Sequence, residues 1–219
     1  MNLIPGILFW TGALLTAGLL SAAEPMRIPQ SAAPSLIDGN LSETCWKNAL
    51  KTGPFRKLDG GTVREKTEGF LFADRENLYI GMKCYFSDYE AKSREIASAK
   101  NVFSIDRAEI FIDPGSSGNY QHIAVNAAGI QFFPGKQAEM QYGVQLNGDN
   151  WTLEARIPFR AIKVIGENFS KEWRINLARG NVPIKENTTW APLTDGTFHQ
   201  PDRFFCFSGI DADLVDLAK

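Results

Sequence analysis

The residues best suited to chemistry lie near the C-terminus, in the segment WAPLTDGTFHQPDRFFCFSG that begins at Trp190. This Trp stands between ENTT and APLTDG, a polar and turn-rich composition that predicts an exposed loop. Phe198 and His199 lie across the next turn. Sugar-binding sites combine flat aromatic faces, which stack on the apolar face of a pyranose ring, with planar hydrogen-bonding groups. The sequence therefore predicts a sugar platform at Trp190, with Phe198 and His199 as a second wall.

Polar groups that could surround this platform come from two predicted strands. In SIDRAEIFID, period-two alternation assigns one face to Ala108, Ile110 and Ile112, and the other to Arg107, Glu109 and Phe111. The second face is either the lining of a binding groove or a solvated surface with an ion pair, and both interpretations stay open. Arg179 and Asn181 end the strand RINLARGN, close in sequence to the loop of Trp190. They are candidate partners for sugar hydroxyls.

Residues with catalytic potential are few. Nucleophilic hydrolysis needs an activated Ser or Cys with a nearby His, but the chain has 2 histidines and no Gly-x-Ser-x-Gly motif. His122 lies inside a predicted strand, where a structural role is the default interpretation. A glycosidase needs two carboxylates at a set separation, and the candidates are Asp106, Glu109, Asp113 and Glu154. Their spacing along the chain does not show that any two converge, so glycoside hydrolysis stays a minor alternative.

Composition excludes several classes of partner. The chain has 23 basic and 25 acidic side chains and a net charge of −2, with no basic block. Nucleic acid and anionic membrane surfaces are therefore not expected, and a neutral or weakly charged ligand is favoured. No Cys-x-x-Cys-His, His-x-x-x-His or EF-hand motif occurs, so zinc and covalently bound haem lack support.

The N-terminal run MNLIPGILFWTGALLTAGLLSAAEP indicates export. It has the length of a signal peptide and closes on small residues, which predicts a signal peptide over residues 1–23, cleaved after Ala23. Residues 24–219 then form one mature domain in the periplasm, cell envelope or medium. No Lys or Arg precedes the apolar run, so an uncleaved membrane anchor stays an alternative.

The 3 cysteines permit at most one disulfide. Cys84 falls in register with core positions of its strand and is interpreted as a small core hydrophobe. A bridge from Cys84 to Cys45 or Cys206 stays open, because the predicted compartment is oxidising.

A hydrophobic period of two predominates in the mature chain and predicts an all-β fold. Strands are predicted in FLFAD, NLYIGMKCYF, AEIFID, YQHIAVNAAG, IQFF, EMQYGVQLNG, WTLEARIP, EWRINLARG and RFFCFSGI. Polar turns separate them, including a hairpin turn at residues 147–150. Residues 87–100 are rich in Ala, Glu and Lys, which predicts a short helix in a long connection. Many short, closely spaced strands indicate a sandwich of two mainly antiparallel sheets.

Seven blocks of the sequence together resemble carbohydrate-binding module family 9. The blocks are LIDGNLSETCWKNA, ENLYIGMKC, DRAEIFIDP, YQHIAVNAAG, WTLEARIPF, WRINLARGN and FHQPDRFFCFSG, which follow the family's order from about Leu36 to Gly209. The resemblance implies a jelly-roll-like sandwich that binds sugars and is often attached to glycoside hydrolases. It also implies that Trp46 is buried and that Asp106 lies near the binding site.

The predicted sugar binding requires no cofactor, and the resemblance leaves two open as alternatives. Family members can carry structural calcium, and the turn Asp38-Gly39-Asn40 has suitable oxygen donors, so Asp38 is the candidate ligand. Related sandwich domains of exported redox proteins bind haem non-covalently, for which Met82, Met140 and His122 are the candidates.

The sequence thus predicts a secreted, non-catalytic carbohydrate-binding module. It would bind a poly- or oligosaccharide and support glycan degradation by separate glycoside hydrolases. A haem-binding electron-transfer sandwich is the first alternative, and a glycoside hydrolase is the second. Trp46, Trp151 and Trp173 adjoin core strands and are predicted to hold the fold. The predicted sugar-binding residues are Trp190, Phe198, His199, Asp106, Glu109, Arg107, Arg179 and Asn181.

Overall fold

The computed structural model describes residues 25–34, 36–134, 139–162 and 172–208. The predicted signal peptide lies outside these residues. The strands are β1 (Leu50–Lys51), β2 (Arg56–Lys57), β3 (Thr67–Ala73), β4 (Asn77–Tyr85), β5 (Arg107–Asp113), β6 (Gln121–Asn126), β7 (Gln131–Phe132), β8 (Gln141–Leu146), β9 (Asn150–Pro158), β10 (Trp173–Asn181), β11 (Glu186–Thr189) and β12 (Phe205–Phe207). The α-helices are α1 (Thr44–Lys47) and α2 (Tyr89–Ala97). No helix in the described ranges is long and apolar enough to cross a membrane.

Two antiparallel sheets form the predicted sandwich. The first has the strand order β1-β3-β4-β9-β8, and the second has the order β2-β11-β10-β5-β6-β7, with β12 paired to β10 beside β11. Every strand predicted from periodicity is present. Strand β11 was not predicted, because the sequence ENTT was interpreted as part of a loop; it pairs with β10 through Ala178↔Thr189 to Asn181↔Glu186.

The core lies between the sheets and follows the period-two alternation of their strands. Ala108, Ile110 and Ile112 point into it from β5, as predicted. Trp151 and Trp173 are completely buried, and Trp46 is buried on the outer face of the first sheet. This placement agrees with their predicted structural role. Cys84 is a buried core residue, and none of the 3 cysteines forms a disulfide in the structure.

The predicted helix is α2, in the connection between β4 and β5. The carboxylate of Asp88 accepts a hydrogen bond from the backbone N–H of Ala91, a standard N-cap. One side chain of the helix, Lys92, reaches into the sandwich and is almost fully buried. Its ionic partners are described with the candidate site below.

An N-terminal segment covers part of the outer face of the first sheet. The buried carboxylate of Glu154 accepts hydrogen bonds from the indole of Trp46 and from the backbone N–H groups of Asp38 and Gly39. Gly143 makes this approach possible, because a Cβ there would lie 2.2 Å from the carbonyl carbon of Asp38. The segment leaves the neighbouring part of this face, towards the ends of β8 and β9, open.

Candidate functional site

The outer face of the second sheet contains a cleft of about 410 Å³, which we call the aromatic cleft. It is lined by Leu58, Phe103, Arg107, Glu109, His122, Phe132, Asn187, Gly196, Thr197, Phe198 and His199. Four of the predicted sugar-binding residues, Arg107, Glu109, Phe198 and His199, are therefore brought together. Arg107 and Glu109 lie on the outer face of β5, as alternation predicts, and this face both lines a cleft and carries an ion pair. Its role in ligand binding stays a prediction.

Glu109 belongs to the lining of the aromatic cleft and is only 2% exposed. Its Oε1 accepts a hydrogen bond from Nε of Arg107 at 2.8 Å, and its Oε2 lies 2.7 Å from Nε2 of His122. The three side chains come from adjacent strands, since Arg107 and Glu109 lie on β5 and His122 on β6. Both carboxylate oxygens are engaged, so Glu109 fixes the orientations of a cation and an imidazole.

The guanidinium of Arg107 lies close to a phenyl ring and to a glycine. Its Cζ lies 5.2 Å from the ring centroid of Phe103, and a Cβ on Gly180 of β10 would stand 2.5 Å from the same atom. Its two Nη atoms have no hydrogen-bond or ion-pair partner among the described residues. They present N–H donors to the cleft in a rigid planar fork, which can bind two neighbouring oxygen atoms of a ligand.

Phe103 and Phe132 supply the exposed aromatic surface of the cleft. They are 43% and 37% exposed, and their ring centroids lie 5.7 Å apart. Phe103 lies in a 3-10 turn that buries Val102 and leaves the next side chain outside. Phe132 lies on the short strand β7, where alternation buries Phe133 and turns Phe132 outward. Sequence reasoning missed both residues. An aromatic in the polar stretch KNVFSID and the pair Phe132-Phe133 were the available signals.

Two histidines continue this surface. The ring of His122 stacks on Phe111 at 4.5 Å, and the ring of His199 meets His122 edge to face at 5.2 Å. Nδ1 of His199 lies 2.8 Å from the hydroxyl of Tyr120. Burial, and secondarily the nearness of His122, lowers the pKa of His199, which favours its neutral form. His122 has a structural contact with Glu109, as predicted, but it also lines the cleft.

Phe198 anchors the loop that closes one side of the cleft. It is almost fully buried and packs with Phe111, Ala178 and Phe204 in a small apolar cluster on the outer face of the sheet. Its neighbour His199 is exposed. Phe198 therefore supports the loop from below and is too buried to act as the predicted wall, whereas His199 is the accessible member of the pair. A contact of His199 with sugar stays a prediction.

Trp190 is not part of this surface, and its predicted exposure is wrong. The indole is 4% exposed and packs in the core, with its ring centroid 4.4 Å from that of Phe205. The physical reason is strand β11: the backbone N–H of Trp190 bonds to the carbonyl of Leu177, extending the pairing with β10. Alternation then places Trp190 on the inner face together with the buried Thr188.

Asp106, Arg179 and Asn181 are also inside the sandwich rather than in the cleft. Asp106 is two residues from Ala108 and so lies on the same, inward face. Arg179 and Asn181 are two and four residues from the inward Leu177, so they face inward as well. Their expected contact with sugar hydroxyls conflicts with this burial. Asn181 donates a hydrogen bond from Nδ2 to Glu65 at 2.6 Å.

The buried Asp106 carboxylate organises an ionic network at one end of the core. Arg179 donates to it through Nε and Nη2 at 2.8 and 2.7 Å, Lys92 donates at 2.9 Å, and the indole of Trp151 at 2.7 Å. Burial alone would raise the pKa of Asp106, but the charges of Arg179 and Lys92 hold it at about 2. The network joins both sheets and α2, which indicates a structural role.

Among the described residues, neither the candidate carboxylates for glycoside hydrolysis nor the candidate haem ligands lie together at one site. The carboxylates of Asp106 and Glu154 are occupied by the structural contacts described above. Asp113 accepts hydrogen bonds from Ser117 and Gly118. It lies four residues from Glu109 on the same strand, a distance of about 13 Å. This exceeds the separation of about 5–10 Å that glycosidase carboxylates use. The haem candidates are separated too, because Met82 and Met140 are core residues whereas His122 lies on an outer face.

Calcium at Asp38 stays a prediction. Oδ1 of Asp38 accepts a hydrogen bond from the backbone N–H of Asn40 at 2.8 Å, as in an ordinary polar turn. Within the described part of the chain no three His, Cys, Asp or Glu side chains form a group that could hold a metal ion. The turn therefore offers a single carboxylate to a cation.

Comparison with known families agrees with the resemblance inferred from the sequence. The family model described as "Carbohydrate family 9 binding domain-like" matches residues 37–205. The chain belongs to this family. No curated protein sequence matches the chain significantly.

Solved structures support the fold of this family-9 domain. A carbohydrate binding module family 9 protein from Caldicellulosiruptor kristjanssonii in complex with cellotriose has 15% identity and a TM-score of 0.63, over 88% of this chain and 97% of that one. Its complex with glucose gives 16% identity and the same TM-score, over 88% and 100%. A protein from Bacteroides uniformis ATCC 8492 has 17% identity and a TM-score of 0.64, over 84% and 96%. At these identities the likeness concerns the fold.

Proposed function

We propose that this protein is a non-catalytic carbohydrate-binding module that binds an oligosaccharide, or a segment of a polysaccharide, in the aromatic cleft. The observation that carries the proposal is the combination of the free Nη edge of Arg107 with the exposed rings of Phe103 and Phe132. Aromatic rings accept the apolar face of a pyranose, and a guanidinium fork binds a pair of neighbouring hydroxyl oxygens. The cleft offers both surfaces at one place.

The charges of the cleft favour a neutral sugar. The positive charge of Arg107 is balanced by Glu109, with Nε and Oε1 at 2.8 Å, and the lowered pKa of His199 favours its uncharged form. An anionic ligand would therefore gain little net attraction here. The relatives crystallised with cellotriose and with glucose bind neutral sugars, which supports the same ligand class for this chain.

The cellular setting is part of the proposal. An export signal at the N-terminus would place the domain in the periplasm, cell envelope or medium, where polysaccharides are encountered. A module of this kind would hold substrate near separate glycoside hydrolases and thereby raise its local concentration. The dispersed carboxylates described above support binding without hydrolysis.

Calorimetric titration of the mature protein tests the binding function, with cellotriose as the first ligand and a glycan array to survey other neutral sugars. Phe132→Ala should weaken binding by about ten-fold, since one aromatic stacking contact contributes about 1–2 kcal/mol. Arg107→Ala should weaken it by a similar or larger factor. Tyr89→Ala is the matched control, because Tyr89 is an exposed aromatic on α2, away from the cleft.

The variants must also remain folded. Phe132 is an exposed edge-strand residue, so its loss should leave the melting temperature nearly unchanged. Absence of binding to every neutral glycan, or equal binding by the Phe132→Ala and wild-type proteins, would reject the proposed site.

A further inference from the structure

A second cleft, of about 400 Å³, lies on the opposite side of the molecule, on the outer face of the first sheet. It lies between the N-terminal segment and the ends of β8 and β9. We call it the amide cleft, because its lining includes Gln145, Asn147 and Asn150 together with Lys83, Glu68 and Thr152. None of these residues lines the aromatic cleft, so the two surfaces are separate.

Lys83 lines the amide cleft and forms no ion pair with any residue that the structure describes. Its register neighbour on β3 is Glu68, which would be the natural acceptor. However, Oε1 of Glu68 is already bound by Lys51 and Lys66, each at 2.8 Å, and its Oε2 accepts a hydrogen bond from Tyr85. Across the described ranges, the recorded contact of the Lys83 ammonium is with the ring of Tyr85, 5.0 Å from its centroid.

The charged groups around Lys83 carry a surplus of positive charge; they are Glu68, Lys51, Lys66 and Lys83 itself. Burial would raise the pKa of Glu68, but Lys51, Lys66 and Tyr85 hold it at about 2, so the carboxylate is ionised at neutral pH. Lys51 and Lys66 bind this carboxylate, and the ammonium of Lys83 adds a third positive charge on the neighbouring strand, in a chain whose net charge is −2. A single anionic group bound beside Lys83 would reduce this imbalance.

The remaining lining is suited to hydroxyl groups. The side-chain amide of Gln145 has no hydrogen-bond partner in the part of the chain that the structure describes, and it faces outward on β8. Nδ2 of Asn147 donates to Oδ1 of Asn150 at 3.1 Å, which leaves the Oδ1 of Asn147 as an acceptor. A compact ligand with several hydroxyls and one negative charge would satisfy these groups and Lys83 together.

We propose that the amide cleft binds an acidic sugar, a uronate whose carboxylate pairs with Lys83 and whose hydroxyls bond to Gln145 and Asn147. A neutral sugar would leave Lys83 unpaired, and a bare inorganic anion would leave the amides unused. A nucleic acid backbone needs an extended basic surface, which the composition does not provide. The inference rests on the amide cleft alone and does not depend on the aromatic cleft.

Glucuronate and glucose form a matched pair of probes, since they differ in a carboxylate that replaces the hydroxymethyl group. NMR spectra of the isotope-labelled full chain should show shifts of the Gln145, Asn147 and Asn150 side-chain amides with glucuronate. Glucose and inorganic sulfate should shift them at least ten-fold more weakly. Lys83→Gln should reduce glucuronate affinity at this cleft about ten-fold or more, and Lys83→Arg should retain most of it.

Two controls separate this site from the aromatic cleft and from misfolding. Lys100→Gln removes an exposed lysine outside the cleft and should leave glucuronate binding unchanged. Arg107→Ala should weaken neutral sugar binding while leaving the glucuronate shifts intact. The proposal is overturned if glucuronate shifts none of the three amides, if glucose or sulfate shifts them equally, or if a folded Lys83→Gln protein binds glucuronate as tightly as the wild type.

Discussion

Gly180 lies directly beneath the guanidinium of Arg107. A Cβ atom on Gly180 would stand 2.5 Å from Cζ of Arg107, so no larger residue fits without moving that side chain. The two residues are register partners on β10 and β5, and the guanidinium also lies over the ring of Phe103. Position 180 therefore determines how the donor fork of the aromatic cleft is oriented.

Gly180→Ala should displace this fork and weaken binding of a neutral oligosaccharide by about ten-fold, close to 1.4 kcal/mol. The atoms in the way are the far end of a flexible side chain, so the fold should lose little stability. Calorimetric titration and thermal unfolding of the same variant measure both quantities. Unchanged affinity would show that the orientation of Arg107 does not matter for the ligand.

Trp190→Ala should destabilise the protein. The indole is packed among core residues, and loss of a buried aromatic costs about 3–5 kcal/mol of unfolding free energy. For a domain of this size the melting temperature should fall by roughly 10 °C. Phe103→Ala is the matched comparison: it should lower affinity and spare stability. A stable Trp190→Ala protein that had lost only sugar binding would restore the platform interpretation.

Asp106 should make the stability of the fold sensitive to acid. Its pKa in the folded state is about 2, below the ordinary 3.8, so its contribution is complete above about pH 4 and is lost as the pH falls towards 2. Asp106→Asn should be less stable by on the order of 3 kcal/mol at neutral pH and should lack this part of the pH dependence. Urea unfolding of both proteins from neutral to acid pH measures the difference. If the unfolding free energies of the two proteins change in parallel with pH, Asp106 is not charged in the folded protein.

Binding at the aromatic cleft should be nearly independent of salt. The ligand proposed there is uncharged, and the Arg107–Glu109 pair has no net charge to be screened. Affinity for cellotriose should therefore change less than about two-fold between low salt and roughly 0.5 M salt. Glucuronate at the amide cleft should weaken over the same range. A steep salt dependence of neutral sugar binding would contradict the assignment of charges in the cleft.

The sequence predicted the fold well, because the alternation of a sandwich strand is visible within a few consecutive residues. Alternation identified the inward residues of β5, and the Ala-rich connection identified α2. Strands β1, β2 and β11 were not predicted. The first two have two residues each, too few to show a period. Strand β11 consists of the polar residues ENTT, of which Thr189 bonds to Asn176, so it lacks an apolar period.

The candidate site was predicted in part, and the errors have one physical cause. Alternation was applied to β5, which placed Arg107 and Glu109 on the correct face. In RINLARGN, alternation predicts that Arg179 faces inward, because it is two residues from the core residue Leu177. Proximity in sequence to Trp190 predicts a surface position for Arg179, and this prediction is wrong because Trp190 itself is buried. The contact of Phe132 with Phe103 joins distant segments, so neither composition nor period could reveal it.

Mapping the bound sugar by NMR tests the central claim most directly. When cellotriose, or the tightest neutral ligand found on the array, is titrated into the isotope-labelled protein, the largest shifts should lie at Phe103, His122, Phe132 and Asn187. Residues around the buried Trp190 should shift little. If the shifts instead concentrate outside the aromatic cleft, or if no neutral sugar produces any, the proposed binding site is wrong.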